Sequence, residues 1–265
     1  MGDSIDRELH RAVGLADLAS LCSAAFQFPT PELAAALKDG SFLSDWRACI
    51  LDVCGRVSEA DEALLAFCDE AFHAEGADYA TMRREYSRLY LAPGSKVPVW
   101  PYESCFRHRA AGASGVPSLF RSQIALAVER SMHEAGVAPV KEHQEPGDSV
   151  FRELDFLAYL HAAEGEALRV GDEDARSAHL GRLVRFATDH ALPWIPDFMA
   201  ATEGLADFAV YRAFARLGVR YLAELRALSC NAGASVSCTA SGNGSSCAAS
   251  ASAGRSCVDC GEADE

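Results

Sequence analysis

The chain has 265 residues, 49% of them hydrophobic and 23% charged, the composition of a globular protein and not of a collagen, a disordered chain or a membrane bundle. At this length one core buries roughly 70–75% of the extended chain's surface, so the ten cysteines are not needed as staples. Acidic residues outnumber basic ones 38 to 24, a formal charge of −14 that repels nucleic-acid phosphates and anionic lipid and attracts cationic ligands.

The first eleven residues carry Asp3, Asp6, Arg7, Glu8 and Arg11, so they have neither the basic start nor the apolar run of a secretory signal. A stripe of Leu9, Ala12, Val13, Ala16 and Ala19 then predicts an amphipathic helix. Thr30 before Pro31 supplies a hydroxyl N-cap and a proline at the first helical position, and Gly40 closes that short helix. A helix follows over about 44–56. Ser58, with Glu59, Asp61 and Glu62 where the helix dipole favours acids, opens the next segment, whose apolar face is Leu64, Leu65, Phe67, Cys68, Ala71 and Phe72 and whose end is Gly76. Another helix is predicted over 79–91.

Residues 92–117 break this rhythm. They hold Pro93, Pro98, Pro101 and Pro117 with Trp100, Tyr102 and Phe106, and read as an ordered, non-helical connection of functional length. Helical pattern resumes over 118–135, 149–169, 174–190 and 205–228. Pro193 and Pro196 are expected to bend or end the helix near His190 and Trp194, which take structural roles. Residues 229–265 are mostly Ser, Ala, Gly and Cys and read as a disordered tail, because they bury too little apolar surface to offset their ordering entropy. No strand alternation and no run of about 18 apolar residues appears. The expectation is all-α: a single helical-bundle domain over 1–228 with a tail over 229–265, in the cytoplasm, where thiols stay reduced.

Few motifs carry chemistry. Cys257-Val258-Asp259-Cys260 has metal-ligand or redox spacing, but a lone CxxC completes no tetrahedral site. Cys22, Cys49, Cys54 and Cys68 fall on predicted helices as small core hydrophobes. Glu70-Ala71-Phe72-His73 is a single Glu-x-x-His, where a di-iron bundle needs two. Metalloprotease, phosphate-loop, dinucleotide and nucleophile-elbow motifs are missing from the sequence, so no catalytic residue, no metal and no cofactor is expected.

What remains is a set of segments in a fixed order. Tyr86-Ser87-Arg88-Leu89-Tyr90-Leu91-Ala92-Pro93-Gly94 leads into Val97-Pro98-Val99-Trp100-Pro101-Tyr102-Glu103-Ser104. Glu145-Pro146-Gly147-Asp148 then opens a helix holding Glu153-Leu154-Asp155-Phe156-Leu157, and Phe186, His190, Trp194 and Phe198 follow at four-residue intervals. Together, over about residues 9–225, these resemble the TorD/DmsD family of molybdoenzyme maturation chaperones, also called redox enzyme maturation proteins. The resemblance implies an all-helical protein that is not an enzyme, a monomer or weak homodimer. Its partner would be the catalytic subunit of a molybdopterin oxidoreductase, bound through its twin-arginine signal peptide and held for cofactor insertion before Tat export. One position departs: the family commonly has histidine directly after the aspartate, and here Ser149 offers only a hydroxyl.

A twin-arginine peptide presents two guanidinium groups and then an apolar stretch, so its receptor needs carboxylates beside an aromatic-lined groove. Glu103, Glu142, Glu145 and Asp148 can supply the first and Tyr90, Trp100 and Tyr102 the second, with Pro101 and Ser149 alongside. Plainer roles stand beside these: Asp148 as a helix N-cap, Glu145-Pro146 as a helix-opening turn, Trp100 and Tyr102 as packing for the loop. Arg83-Arg84 reads as a solvated face. The alternatives in function are a helical metal- or cofactor-binding protein that uses the Cys-rich tail, and a scaffold for a respiratory complex.

Overall fold

The computed structural model describes residues 2–93, 96–115, 122–137 and 145–239, and all the regular structure among them is helical, apart from one isolated β-bridge. The described residues form eleven α-helices: α1 (Gly2–Phe26), α2 (Pro31–Asp39), α3 (Ser41–Cys54), α4 (Glu59–His73), α5 (Tyr79–Tyr90), α6 (Glu103–Ala110), α7 (Gln123–Glu134), α8 (Val150–Val170), α9 (Glu173–Phe186), α10 (Ile195–Leu205) and α11 (Ala209–Thr239). The all-α expectation holds.

The starts of α2 and α4 are as read from the sequence, whereas α4 ends at His73 with Ala74 as its C-cap and not at Gly76. Thr30 Oγ1 accepts from Leu33 N at 3.2 Å, with Pro31 opening α2. Ser58 and Asp61 form a reciprocal capping box at α4. Asp78, Ser122 and Asp172 cap α5, α7 and α9. Gly40 takes φ 81° between α2 and α3, a left-handed turn that suits glycine.

The core is centred on α1, α8 and α11. The stripe of α1 buries Ala12, Leu15, Ala16, Ala19, Cys22 and Phe26; one face lies on α8 and another on α3. Gly14 makes the α3 crossing close, since a Cβ there would sit 2.9 Å from Val53 Cγ2 and 3.0 Å from the Cys49 carbonyl oxygen. Ser23 Oγ donates to the Phe151 carbonyl at 3.0 Å and fastens α1 to the start of α8. Phe26, Phe42, Phe72, Phe198 and Phe214 meet in edge and tilted ring contacts. Two buried carboxylates pin corners. Glu85 accepts from Arg88 and from the amides of Asp207 and Phe208. Asp61 accepts from Arg220 of α11 at 2.6 Å; burial alone would raise its pKa, yet the bonds from Ser58 and Arg220 hold it low.

Three features depart from expectation, and one expected break is found. The 92–117 connection is not wholly non-helical: α6 forms inside it, because the prolines flank residues 103–110 and Glu103 at the start and Arg107, His108 and Arg109 at the end complement the helix dipole. The break expected at Pro193 and Pro196 is present: the helical run ends in a turn at 192–194, and Pro196 then sits in the first turn of α10, where its missing N–H is harmless. Residues 187–191 form a π-helical turn that continues α9. The last helix runs on to Thr239, past the expected end at 228, and Ser229 Oγ returns to the Leu225 carbonyl at 2.9 Å. Residues 240–265, with the CxxC, lie outside the described residues. No single helix among the described residues is long and apolar enough to cross a membrane; α1 and α2 pass such a test only as a pair bent by 118°.

Candidate functional site

The three segments singled out in the sequence converge at one junction. The chain leaves α5, and Val99 N donates back to the Leu89 carbonyl at 3.1 Å. It then crosses the start of α8 as a short antiparallel bridge between Tyr102 and Ser149, closed by Glu103 N to the Asp148 carbonyl at 2.8 Å and Val150 N to the Pro101 carbonyl at 2.9 Å. The amino ends of α6 and α8 therefore meet side by side, which places two positive helix ends around one cluster of acids.

Within the junction Glu103, Asp148, Ser149 and Glu153 have no exposed surface. Asp148 Oδ2 accepts from Ser104 N at 2.9 Å. Asp148 is thus a cap, but for α6 and not for the helix it precedes; the N-cap of α8 is Ser149, whose hydroxyl makes no capping bond. Glu103 accepts at both oxygens, from Arg107 Nη1 at 2.6 Å and from His190 Nδ1 at 3.0 Å. Glu153 Oε2 accepts from the indole N–H of Trp194 at 2.9 Å. Burial, with the neighbouring charges of Glu103 and Asp148, lifts the Glu153 carboxyl well above the ordinary glutamate range. Burial also raises Asp148, partly countered by the Ser104 bonds.

Above this buried layer lie the half-exposed members. Trp100, Tyr102 and Glu145 each keep part of their surface in solvent, and Tyr102 OH donates to Glu145 Oε1 at 3.1 Å. Burial raises the pKa of Glu145, with Tyr102 and Arg152 opposing and the Asp148 charge adding. The surface shelf is thus two aromatic rings and one carboxylate. Pro101 is buried under it. Tyr90 is apart: only 3% exposed, it faces the core, stacking on Phe198 with centroids 5.7 Å apart and bonding Thr202 Oγ1 at 3.1 Å. Glu142 lies outside the described residues. So the structure assembles Trp100, Pro101, Tyr102, Glu103, Glu145, Asp148 and Ser149 in one place, and buries Pro101, Glu103, Asp148 and Ser149 beneath the rest.

His190, Trp194 and Ser104 belong to the same cluster although sequence reasoning gave the first two only structural roles and passed over the third. Glu153 was visible only as one letter of a longer segment. An acid in the first turn of a helix is so ordinary a signal that Glu103 and Glu153 do not announce that they face each other. A larger cleft, about 490 Å³, opens elsewhere between α5 and the α10–α11 corner. Arg84 and Arg88 line it beside Glu85 and Asp207, both of which pair with Arg88, so the charges of its walls largely cancel.

Residues 55–200 match the family model described as nitrate reductase delta subunit, over half of the chain, and this window contains the whole junction. A curated relative from Photobacterium profundum, named Chaperone protein TorD, is 33% identical over 137 residues. That match spans 52% of this chain and 58% of the relative's length.

Proposed function

The chain belongs to the nitrate reductase delta subunit family, which includes TorD-like chaperones, and from that premise we propose that it is a cytoplasmic maturation chaperone for the catalytic subunit of a molybdopterin oxidoreductase. It binds that subunit's twin-arginine signal peptide reversibly, holds the subunit for cofactor insertion before Tat export, and makes or breaks no covalent bond. The observation that carries this reading is the shelf of Trp100, Tyr102 and Glu145 laid over a buried acidic layer. Rings accept the apolar stretch of such a peptide, and the half-exposed Glu145 meets a guanidinium with its charge facing solvent. Glu103, Asp148 and Ser149 act from below, fixing the crossing segment that presents the two rings.

A flexible peptide loses several kcal/mol of contact energy in ordering, so a Kd of about 1 μM or weaker is expected. Titration calorimetry with a twin-arginine leader and its Gln-Gln counterpart checks the reading. The arginine peptide should bind at least about tenfold more tightly, a difference of ~1.4 kcal/mol, and Glu145→Gln should shrink that gap. Equal affinities for the two peptides would remove the electrostatic part of the proposal.

A further inference from the structure

The exposed shelf offers one carboxylate, Glu145, whereas a twin-arginine leader brings two guanidinium groups. A second acid lies against the same turn, from α7. Gly147 is buried and its backbone is not in the left-handed region, so glycine stands there for closeness and not for conformation. A Cβ at this position would sit 2.7 Å from Glu129 Cγ and 3.4 Å from Glu129 Oε1. Glu129 therefore lies over a residue only two positions from Glu145, at most about 7 Å along the backbone. It keeps part of its surface in solvent, and among the described residues no hydrogen bond or ion pair engages its side chain.

The ground beneath these acids lacks donors. Ser149 N closes the turn on the Pro146 carbonyl at 3.3 Å. Ser149 also faces Tyr102 across the antiparallel bridge, which puts the two side chains on one face, and Tyr102 OH reaches Glu145 from there. Yet Ser149 Oγ has no hydrogen-bond partner, and neither has Asp148 Oδ1, although both residues are wholly buried. Buried oxygens without a partner are rare enough to ask for one, and a guanidinium is a fan of five N–H donors with no acceptor.

We propose that Glu129 is the second guanidinium-reading carboxylate of the site, set beside Glu145 at the Pro146–Gly147 turn, so that one acid meets each arginine of the leader. This rests on the peptide-binding reading above and adds to it a specificity residue from α7, a helix that none of the three sequence segments includes. Gly147 belongs to the same device, since its missing side chain is what lets Glu129 lie down on the turn. Two adjacent arginines, with Cα atoms about 3.8 Å apart and long side chains, span the interval between the acids.

Titrating four leaders, with Arg-Arg, Arg-Gln, Gln-Arg and Gln-Gln at the pair, against wild type, Glu129→Gln and Glu145→Gln gives a set of double-mutant cycles. Glu129→Gln should weaken the Arg-Arg leader about threefold to fivefold, the size of one half-exposed ion pair, and leave the Gln-Gln leader unchanged. It should also make the protein indifferent to one of the two arginines, and Glu145→Gln indifferent to the other. Glu134→Gln removes a charge from the same helix where it lines the cleft beside α9; unchanged affinities there separate a local contact from a change in net charge. Gly147→Ala alters no charge but pushes Glu129 aside, so it should reproduce the loss, and in a Glu129→Ala background it should add nothing. If wild type prefers the Arg-Arg leader and Glu129→Gln keeps all four affinities, Glu129 has no such role and the peptide-binding reading stands. Equal wild-type affinity for all four leaders overturns both. A loss in Glu129→Gln that is the same for the Arg-Arg and Gln-Gln leaders means packing and sinks the assignment, as does a Gly147→Ala loss that persists without Glu129.

Discussion

His161 lies wholly inside α8 with its ring 6.5 Å from that of Tyr221, and neither ring nitrogen has a protein partner. Burial, helped by the charge of Arg11, lowers its pKa from 6.5 to about 3. The native ring is therefore neutral, while the same ring in the unfolded chain takes up a proton as soon as pH falls below about 6.5. Between those two values the unfolded state binds more protons, so stability falls as pH falls, by up to about 1.4 kcal/mol per pH unit. His161→Leu removes that proton and two unpaired nitrogens at once. Urea unfolding from pH 6.5 down to 4 should show a slope of stability on pH shallower by about one proton, with stability near neutral pH unchanged or raised. An unchanged slope would mean that His161 is not the neutral buried group described above.

At the scale of elements, α6 depends on a residue that is 44 positions away in the chain, since Asp148 Oδ2 caps Ser104 N. Asp148→Ala removes that cap and should cost about 1 kcal/mol. Asp148→Asn keeps an acceptor oxygen and removes a buried charge whose pKa is already pushed up, so it should be close to neutral in thermal unfolding. Equal losses in the two variants would point to the charge and not the cap. This cap also shows where the sequence could and could not be read. The ends of α2 and α4 were legible because their signals are local: Thr30 with Pro31, and Ser58 with Asp61. Asp148 before a helix invited the same local reading, but its side chain turns to a different helix, and no spacing rule reports that. The prolines around 103–110 pointed to a break, yet α6 fits between them, whereas the break expected at 193 and 196 is there and α10 begins on its far side. For the site, proximity of the three segments was legible from their order, whereas depth was not. Composition gives no sign that Glu103, Asp148 and Glu153 are covered and that Glu145 is the acid left at the surface.

Across the whole molecule the charge of −14 acts on folding and on binding with opposite sign. Compacting the chain brings like charges together, so screening them favours the native state. Attraction of a dicationic leader to the same field is weakened by that screening. Raising ionic strength from about 0.01 M to 0.15 M shortens the Debye length from roughly 30 Å to 8 Å. That reaches charges spread over the surface but not the buried contacts of the acidic junction. The thermal midpoint should therefore rise by a few degrees, the equivalent of about 1 kcal/mol for a domain of this size, over the same range in which peptide affinity falls severalfold. Differential scanning calorimetry and peptide titration on one sample series test both halves. If salt moved the midpoint and the affinity in the same direction, the long-range field would not be the common cause, and local contacts at Glu145 would have to account for the peptide alone.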